Sequence, residues 1–457
     1  MNRVVKFASV RPSRTLNLLS HREMEGLLSS APEVQRLFRE CSLAVLNVGS
    51  QEDDADLVLE TYRDFTIQVI PQSRGVKLEV HNAPASAFVD DRMINGIREH
   101  LFSVLRDIVF THSELAKAGH FDLSSSDGIS DTVFRILRNA GVVEPERAPN
   151  LVICWGGHAV DRVEYDYSKS VGYQLGLRGL DVATGCGIGA MKGPMKGAAV
   201  GHSKQQIRDG RYIGISEPGI IASESPNPIV NELVILPDVE KRLEAFVRMA
   251  HCIIVFPGSA GTLEEILYLL GILMHPDNAE VELPLIFSAP ESNPGFFAEI
   301  EEFLREAIGE EACQYYSVIV GQSELVAQTA KRSIEAVKRQ RRSSDESYAY
   351  NWRLKIPKAL QIPFVPSHAK MSRLNLSMDI PFYQRVFELR SAFSGVVAGN
   401  VKAYGIKQIR NHGPYQLTGD KRVIQAMDKL LEGFVHRGRM KLRGDYTPCY
   451  SLTSKAS

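Results

Sequence analysis

A short stretch, Pro257-Gly-Ser-Ala-Gly-Thr-Leu-Glu-Glu265, gathers the residue types that handle a phosphorylated ligand. Four small residues in a row, Gly258, Ser259, Ala260 and Gly261, strip the loop of bulk, so an anion can approach backbone N–H groups closely. From Leu263 onward the apolar residues Leu263, Ile266, Leu267 and Leu270 fall at helical spacing. That spacing predicts a helix with Thr262 as its N-cap, its unpaired N–H groups and positive dipole end turned toward the loop. Two readings of Glu265 stand side by side. Thr262 and Glu265 have the separation of a capping box, in which each satisfies the other's backbone donor. A carboxylate one turn inside an anion-binding helix tip is also placed to act on the ligand held there. The capping box accounts for the pair but not for the four small residues before it.

Two more glycine clusters follow apolar runs. Leu151-Val-Ile-Cys-Trp155 leads into Gly156-Gly157-His158, and Leu180-Asp-Val-Ala-Thr184 leads into Gly185-Cys-Gly187-Ile-Gly189-Ala-Met191 and on to Gly197. The second fits G-x-G-x-x-A, but a dinucleotide site wants an acid about 20 residues on. The next strand-end acid is Glu217, some 30 residues along, so a nicotinamide enzyme fits poorly. No Gly-Lys-[Ser/Thr] follows any glycine run, which excludes a P-loop, and neither HExxH nor Gly-x-Ser-x-Gly occurs. His158, His202 and His251 are isolated and read as loop or strand-edge residues rather than metal ligands. No metal and no organic cofactor is expected.

These turns need strands to hold them. Cys252-Ile-Ile-Val-Phe256 is a continuous apolar run of the kind buried on both faces of a parallel sheet. Further strands are predicted over Leu151–Trp155, Leu180–Thr184, Arg211–Ser216, Glu232–Leu236 and Leu283–Phe287, with helices over Tyr165–Leu177 and Val239–Ala250. Alternation of this kind gives an α/β fold, a Rossmann-like doubly wound parallel sheet with ligands outside the carboxyl ends of its strands. Before it, Cys41–Leu46, Phe65–Ile70 and Val76–Val80 are expected strands, and Arg92–Phe110 and Thr132–Asn139 expected helices. Arg74 and Lys77 flank the turn glycine Gly75 and could hold an anion, although a solvated hairpin tip is the commoner meaning of that pattern. After the sheet, Lys338-Arg-Gln-Arg-Arg342 reads as a solvated helix end running into a linker, Ser343–Ser347. Pro381–Ala392 reads as a helix, and Ser394-Gly-Val-Val-Ala-Gly399 has a close-packing composition. Residues 1–147 and 343–457 are thus expected to form α+β domains on either side of a ligand-binding domain at 148–342.

Composition narrows the classes. A chain of 457 residues exceeds one ordinary core and suggests two or three domains; 44% apolar and 23% charged residues are those of a soluble globular protein. A formal net charge of -1 gives no global pull toward nucleic acid or an anionic membrane. Six scattered cysteines without CxxC spacing suggest reduced thiols, and no apolar run has the length of a span or a signal core. A cytoplasmic protein is expected.

Taken together, the motifs resemble a known family. Pro257–Glu265 is similar to the PGGxGTxxE signature of the LOG, or lysine decarboxylase-like, superfamily, with Ser259 in place of its second glycine. Arg242, 15 residues before Pro257, matches the arginine of that family's second motif, with Leu243 where a lysine is usual. Gly185–Met191 resembles its GGGxxGLM loop. These motifs cover about residues 150–290; the flanking Arg74–Glu79 and Ser394–Val401 and the chain length extend the resemblance to the bacterial nucleoside 5′-monophosphate nucleosidases. The resemblance implies hydrolysis of a nucleoside 5′-monophosphate to free base and ribose 5-phosphate, without a cofactor. It implies Glu265 as the carboxylate beside the anomeric carbon and Arg242 as the holder of the 5′-phosphate or ribose. Gly156, Gly157, Gly185, Gly187, Gly189, Met191, Gly258, Ser259, Ala260, Gly261 and Thr262 would line the pocket, with Glu264 turned to solvent. It also implies a homotetramer regulated by guanosine tetraphosphate, for which Arg74, Lys77 and Arg341 are candidate contacts. The rival on the same fold is a nucleotide or molybdopterin carrier that binds without cleaving.

Overall fold

Apolar runs separated by glycine turns become strands, and the amphipathic stretches between them become helices. The computed structural model describes residues 4–13, 16, 25, 31–49, 55–73, 75–112, 122–158, 160–223, 225–401, 403–439 and 448–454. The chain begins with strand β1 (Val4–Val10) and helix α1 (Pro32–Leu46). β2 (Thr66–Gln72) and β3 (Gly75–Pro84) form the expected hairpin, with Val69 opposite Leu78, and β1 pairs antiparallel with the other edge of β3. α2 (Asn95–Phe110) and α3 (Ser126–Asn139) follow. Cys41–Leu46, expected as a strand, is instead the end of α1, begun by Pro32 in the first turn where its missing N–H costs nothing. All six of its residues are buried, and an apolar run that is enclosed all round has no period to separate helix from strand.

The α/β core then runs β4 (Leu151–Trp155), α4 (Arg162–Leu177), β5 (Asp181–Thr184), α5 (Lys192–Lys204), β6 (Tyr212–Ser216), β7 (Glu232–Ile235), α6 (Val239–Met249), β8 (Cys252–Val255), α7 (Ala260–Leu273), β9 (Leu285–Ala289), α8 (Gly295–Ala307), β10 (Ser317–Val320) and α9 (Ser323–Ser343). Its seven-stranded sheet has the order β10-β9-β8-β4-β5-β6-β7 and is parallel as expected, with Cys252 beside Val152 and Val255 beside Trp155. The order reverses between β4 and β8, the place where ligands bind in such sheets. α10 (Phe382–Val401), β11 (Tyr415–Gly419), α11 (Lys421–His436) and β12 (Tyr450–Ser454) complete the chain.

The chain divides into two compact units. The first comprises Met1–Glu146, Asp181–Ile188 and Arg208–Phe246. Within it the Asp107 carboxyl on α2, its pKa raised by burial despite the Arg106 beside it, accepts the Ile235 N–H of β7 at 2.8 Å. Arg106 donates to the Leu233 carbonyl at 2.7 Å. The second comprises Arg147–Leu180, Gly189–Ile207 and Val247–Ser457. There α4 and α5 meet backbone to backbone. A Cβ on Gly197 would run into the Lys169 carbonyl, and one on Gly172 into that of Pro194. The later half of the glycine run at 185–197 therefore serves helix packing. The small stretch Ser394–Gly399 packs closely as expected: a Cβ on Gly399 would lie 2.8 Å from the Cys449 sulfur. Arg341, expected on a solvated helix end, is 1% exposed, its Nη1 and Nη2 donating to the carbonyls of Tyr348 and Ala250 at 2.8 and 3.2 Å.

Candidate active site

In the second unit the loops after β4 and β8 are stitched together by their backbones. Phe256 N–H donates to the Trp155 carbonyl at 2.8 Å, Gly157 N–H to that of Pro257 at 2.9 Å, and Ala190 N–H to that of Gly157 at 3.0 Å. Approach this close leaves no room for side chains. A Cβ on Gly157 would lie 2.7 Å from the Gly258 Cα, and one on Gly156 2.8 Å from the Ala190 Cβ. Gly189 has φ +66°, and a Cβ there would meet the His158 carbonyl. Six expected pocket residues, Gly156, Gly157, Gly189, Met191, Gly258 and Ser259, thus belong to one cluster of loops around the tip of α7.

The tip itself differs from the expected one. α7 begins at Ala260 with Ser259 as N-cap, and the Ser259 side chain makes no capping bond. Thr262 lies in the first turn and is buried, with its hydroxyl where a Cβ on Gly258 would go. The capping box expected of Thr262 and Glu265 is therefore displaced: Thr262 already has helical neighbours on both sides and cannot be the cap residue. Ser259 adopts φ −122°, a region open to any residue, so a serine at the family's glycine position costs the backbone nothing. Gly261 has room for a side chain: a Cβ there would make only an ordinary contact with the Ser259 hydroxyl, at 3.8 Å. An N-terminus whose N-cap side chain makes no capping bond, ringed by small residues, presents backbone donors and a positive dipole end to an anion. Glu265, in the next turn, is partly exposed. Glu264, expected in solvent, is only partly exposed and its Oε1 is buried.

Gly185, Gly187 and Arg242 belong to the first unit. Cys186, between the two glycines, has φ +58°, and its carbonyl accepts both the N–H and the side-chain amide of Asn227 at 2.9 and 3.2 Å. Arg242 is 6% exposed; its Nε donates to the Ile215 carbonyl at the end of β6 at 3.0 Å, and its guanidinium lies 5.3 Å from the Phe246 ring centre. Of the three candidate regulator contacts, Arg74 lies outside the described residues, Lys77 pairs with Glu79 at 2.6 Å, and Arg341 is buried as above. Among the described residues no cluster of three His, Cys, Asp or Glu is arranged to hold a metal ion. His251 makes backbone contacts, its Nδ1 accepting from Leu151 N–H at 3.0 Å and its Nε2 donating to the Tyr348 carbonyl at 2.7 Å.

One pair at this site was not anticipated. Glu164 on α4, 2% exposed, binds Arg439, which also reaches the Gly258 carbonyl at 3.4 Å. The partners are 275 residues apart, so no local pattern could announce them.

Comparison with known proteins gives matches along the chain. Residues 8–115 match the family model "Pyrimidine/purine nucleotide 5'-monophosphate nucleosidases", and residues 334–453 "Pyrimidine/purine nucleotide monophosphate nucleosidase, C-terminal". Residues 191–329 match "Possible lysine decarboxylase". The pyrimidine/purine nucleotide 5′-monophosphate nucleosidases of Escherichia coli K12 and O157:H7 are each 48% identical over 448 residues, covering 97% of this chain and 99% of theirs. Among solved structures, a molybdenum cofactor binding protein from Rippkaea orientalis is 18% identical and covers 42% of this chain and 99% of its own, at a TM-score of 0.31. The molybdenum cofactor carrier protein of Chlamydomonas reinhardtii is 17% identical over 42% of this chain and 98% of its own, at 0.28.

Proposed function

The chain belongs to the pyrimidine/purine nucleotide 5′-monophosphate nucleosidases, and from that premise we propose that it hydrolyses the N-glycosidic bond of purine and pyrimidine nucleoside 5′-monophosphates. Water adds to the anomeric carbon as the bond to the base nitrogen breaks; the bonding pair leaves with the base, which is protonated, and ribose 5-phosphate remains. The observation that carries this reading is the α7 tip: a helix start whose N-cap side chain makes no capping bond, at the sheet's reversal point, behind a loop of small residues, with a carboxylate one turn in. The 5′-phosphate takes the N–H groups of Gly258 to Thr262. Glu265 faces the ribose, where it stabilises developing oxocarbenium charge and orients the attacking water. Arg242 binds phosphate or ribose, a role suited to its fork of donors.

Finer properties belong to the same proposal. The chain works as a homotetramer in the cytoplasm; among the described residues no helix is long and apolar enough to cross a membrane. Guanosine tetraphosphate regulates it. Arg341 could contact that anion only by giving up its two backbone acceptors, so Lys77→Ala is the substitution to make. Residues 148–342 carry the chemistry, flanked by 1–147 and 343–457. The carrier alternative gains nothing from likenesses at TM-scores of 0.31 and below. The deciding experiment incubates purified protein with AMP, GMP, IMP, CMP and UMP, with and without guanosine tetraphosphate, and identifies products by chromatography. Base and ribose 5-phosphate are expected; a nucleotide retained intact would make the protein a carrier.

A further inference from the structure

The charge pair behind the glycine loop is the feature that the proposed reaction leaves unused. α11 lies along α8, where Phe434 stacks 6.1 Å from Phe296. Lys429 reaches Glu302 at 2.6 Å, Arg422 reaches Glu306 at 2.5 Å, and Arg437 pairs with Glu299. Just beyond this fixed helix, Arg439 lays its guanidinium 4.9 Å from the Phe296 ring centre. Its Nη2 binds Glu164 Oε1, and its Nη1 lies 3.4 Å from both Glu164 Oε2 and the Gly258 carbonyl oxygen. Glu164 is itself held: it forms the capping box of α4 with Asp161 and accepts the Asn293 side-chain amide at 2.7 Å. The arginine side chain is 11% exposed, so little water competes for these contacts.

In a trans peptide the C=O of one residue and the N–H of the next point in opposite directions. A donor on the Gly258 carbonyl therefore sets where the Ser259 N–H points, just as Gly157 N–H on the Pro257 carbonyl, at 2.9 Å, sets the Gly258 N–H. We propose that Arg439 is a positioning residue for the phosphate loop, holding the Gly258–Ser259 peptide so that its N–H faces the ligand's phosphate and its carbonyl faces away. The inference rests on the loop's being the phosphate cradle. It gives the C-terminal segment a part in substrate affinity, since a peptide released to turn would present a carbonyl oxygen to an anion.

The test uses full-length Arg439→Ala and Arg439→Lys, with KM and kcat measured on the monophosphate that wild type cleaves best. Hydrogen exchange is followed in a peptide spanning residues 256–263. Arg439→Ala is expected to raise KM about tenfold while kcat stays within about threefold, the pattern of lost uniform binding, and to speed exchange at the loop amides. Arg439→Lys falls between, because a lysine keeps the charge beside Glu164 but lacks a fork that can hold the carbonyl too. Unchanged KM and unchanged loop exchange in Arg439→Ala would overturn the proposal, including where the melting temperature drops, which would mark a structural anchor only. If the alanine variant does not fold, the lysine variant decides by the same two readouts. A wild type that cleaves no monophosphate would remove the functional reading, yet loop exchange would still show whether Arg439 orients the peptide.

Discussion

Thr262 lies inside its helix rather than at the cap, and that displacement decides how Glu265 can be tested. With no capping box at these two residues, Glu265→Gln keeps shape and polarity while removing the charge. We expect kcat for base release to fall about 10²–10⁴-fold, the usual worth of a positioned acid–base group, with the melting temperature within a degree or two of wild type. Wild-type turnover would return Glu265 to a structural role. Gly261 offers a second test, because a methyl there would make only an ordinary contact with Ser259. Gly261→Ala should leave the fold intact and even favour the helix by up to about 1 kcal/mol. A methyl at the loop should nevertheless obstruct a ligand, so we expect a higher KM beside an equal or higher denaturation midpoint. Equal KM values would mean that nothing approaches this face of the tip.

At the scale of elements, glycine does two different jobs that composition does not separate. Around α7 it lets loops approach one another; on α5 it lets two helices touch. Gly197→Ala would press a methyl into the Lys169 carbonyl and should cost about 1–3 kcal/mol, the range for overpacking. Val200→Ala, at a side chain 45% exposed on the same helix, should cost little, and urea unfolding of both variants checks the contrast. The strand–glycine–helix repeats were legible because strands buried on both faces are bound to be apolar runs, and chain reversals beside them demand small residues. Cys41–Leu46 was not, since full burial erases the periodicity that distinguishes helix from strand. β10 was not legible although Val318-Ile-Val320 is apolar and β-branched, because a run that short between Ser317 and Gly321 does not stand out from a loop. The small-residue loop before α7 was readable from local types alone. Arg439, and the Ala250 carbonyl that Arg341 reaches, depend on long-range packing that leaves no local mark.

For the molecule as a whole, burial of the thiols gives a direct check on the packing described. Cys41, Cys154, Cys186, Cys252 and Cys449 are buried, whereas Cys313 is partly exposed. Burial pushes Cys41, Cys252 and Cys449 up to about 12 and Cys154 well above its usual value, so their reactive thiolates are scarce near neutral pH. An aromatic disulfide reagent at pH 8 should therefore titrate one thiol quickly in the native protein and six after denaturation. Several fast native thiols would contradict the enclosed core. That core includes α7, in which eleven of fourteen residues are buried. A helix so largely enclosed leaves its backbone little freedom to reposition the partly exposed Glu265. Purine and pyrimidine nucleotides have their sugar phosphate in common and differ in the base. On the proposed placement of the sugar phosphate at this tip, a tightly packed element is matched to the part that all the substrates share, and tolerance of different bases falls to surroundings outside this helix.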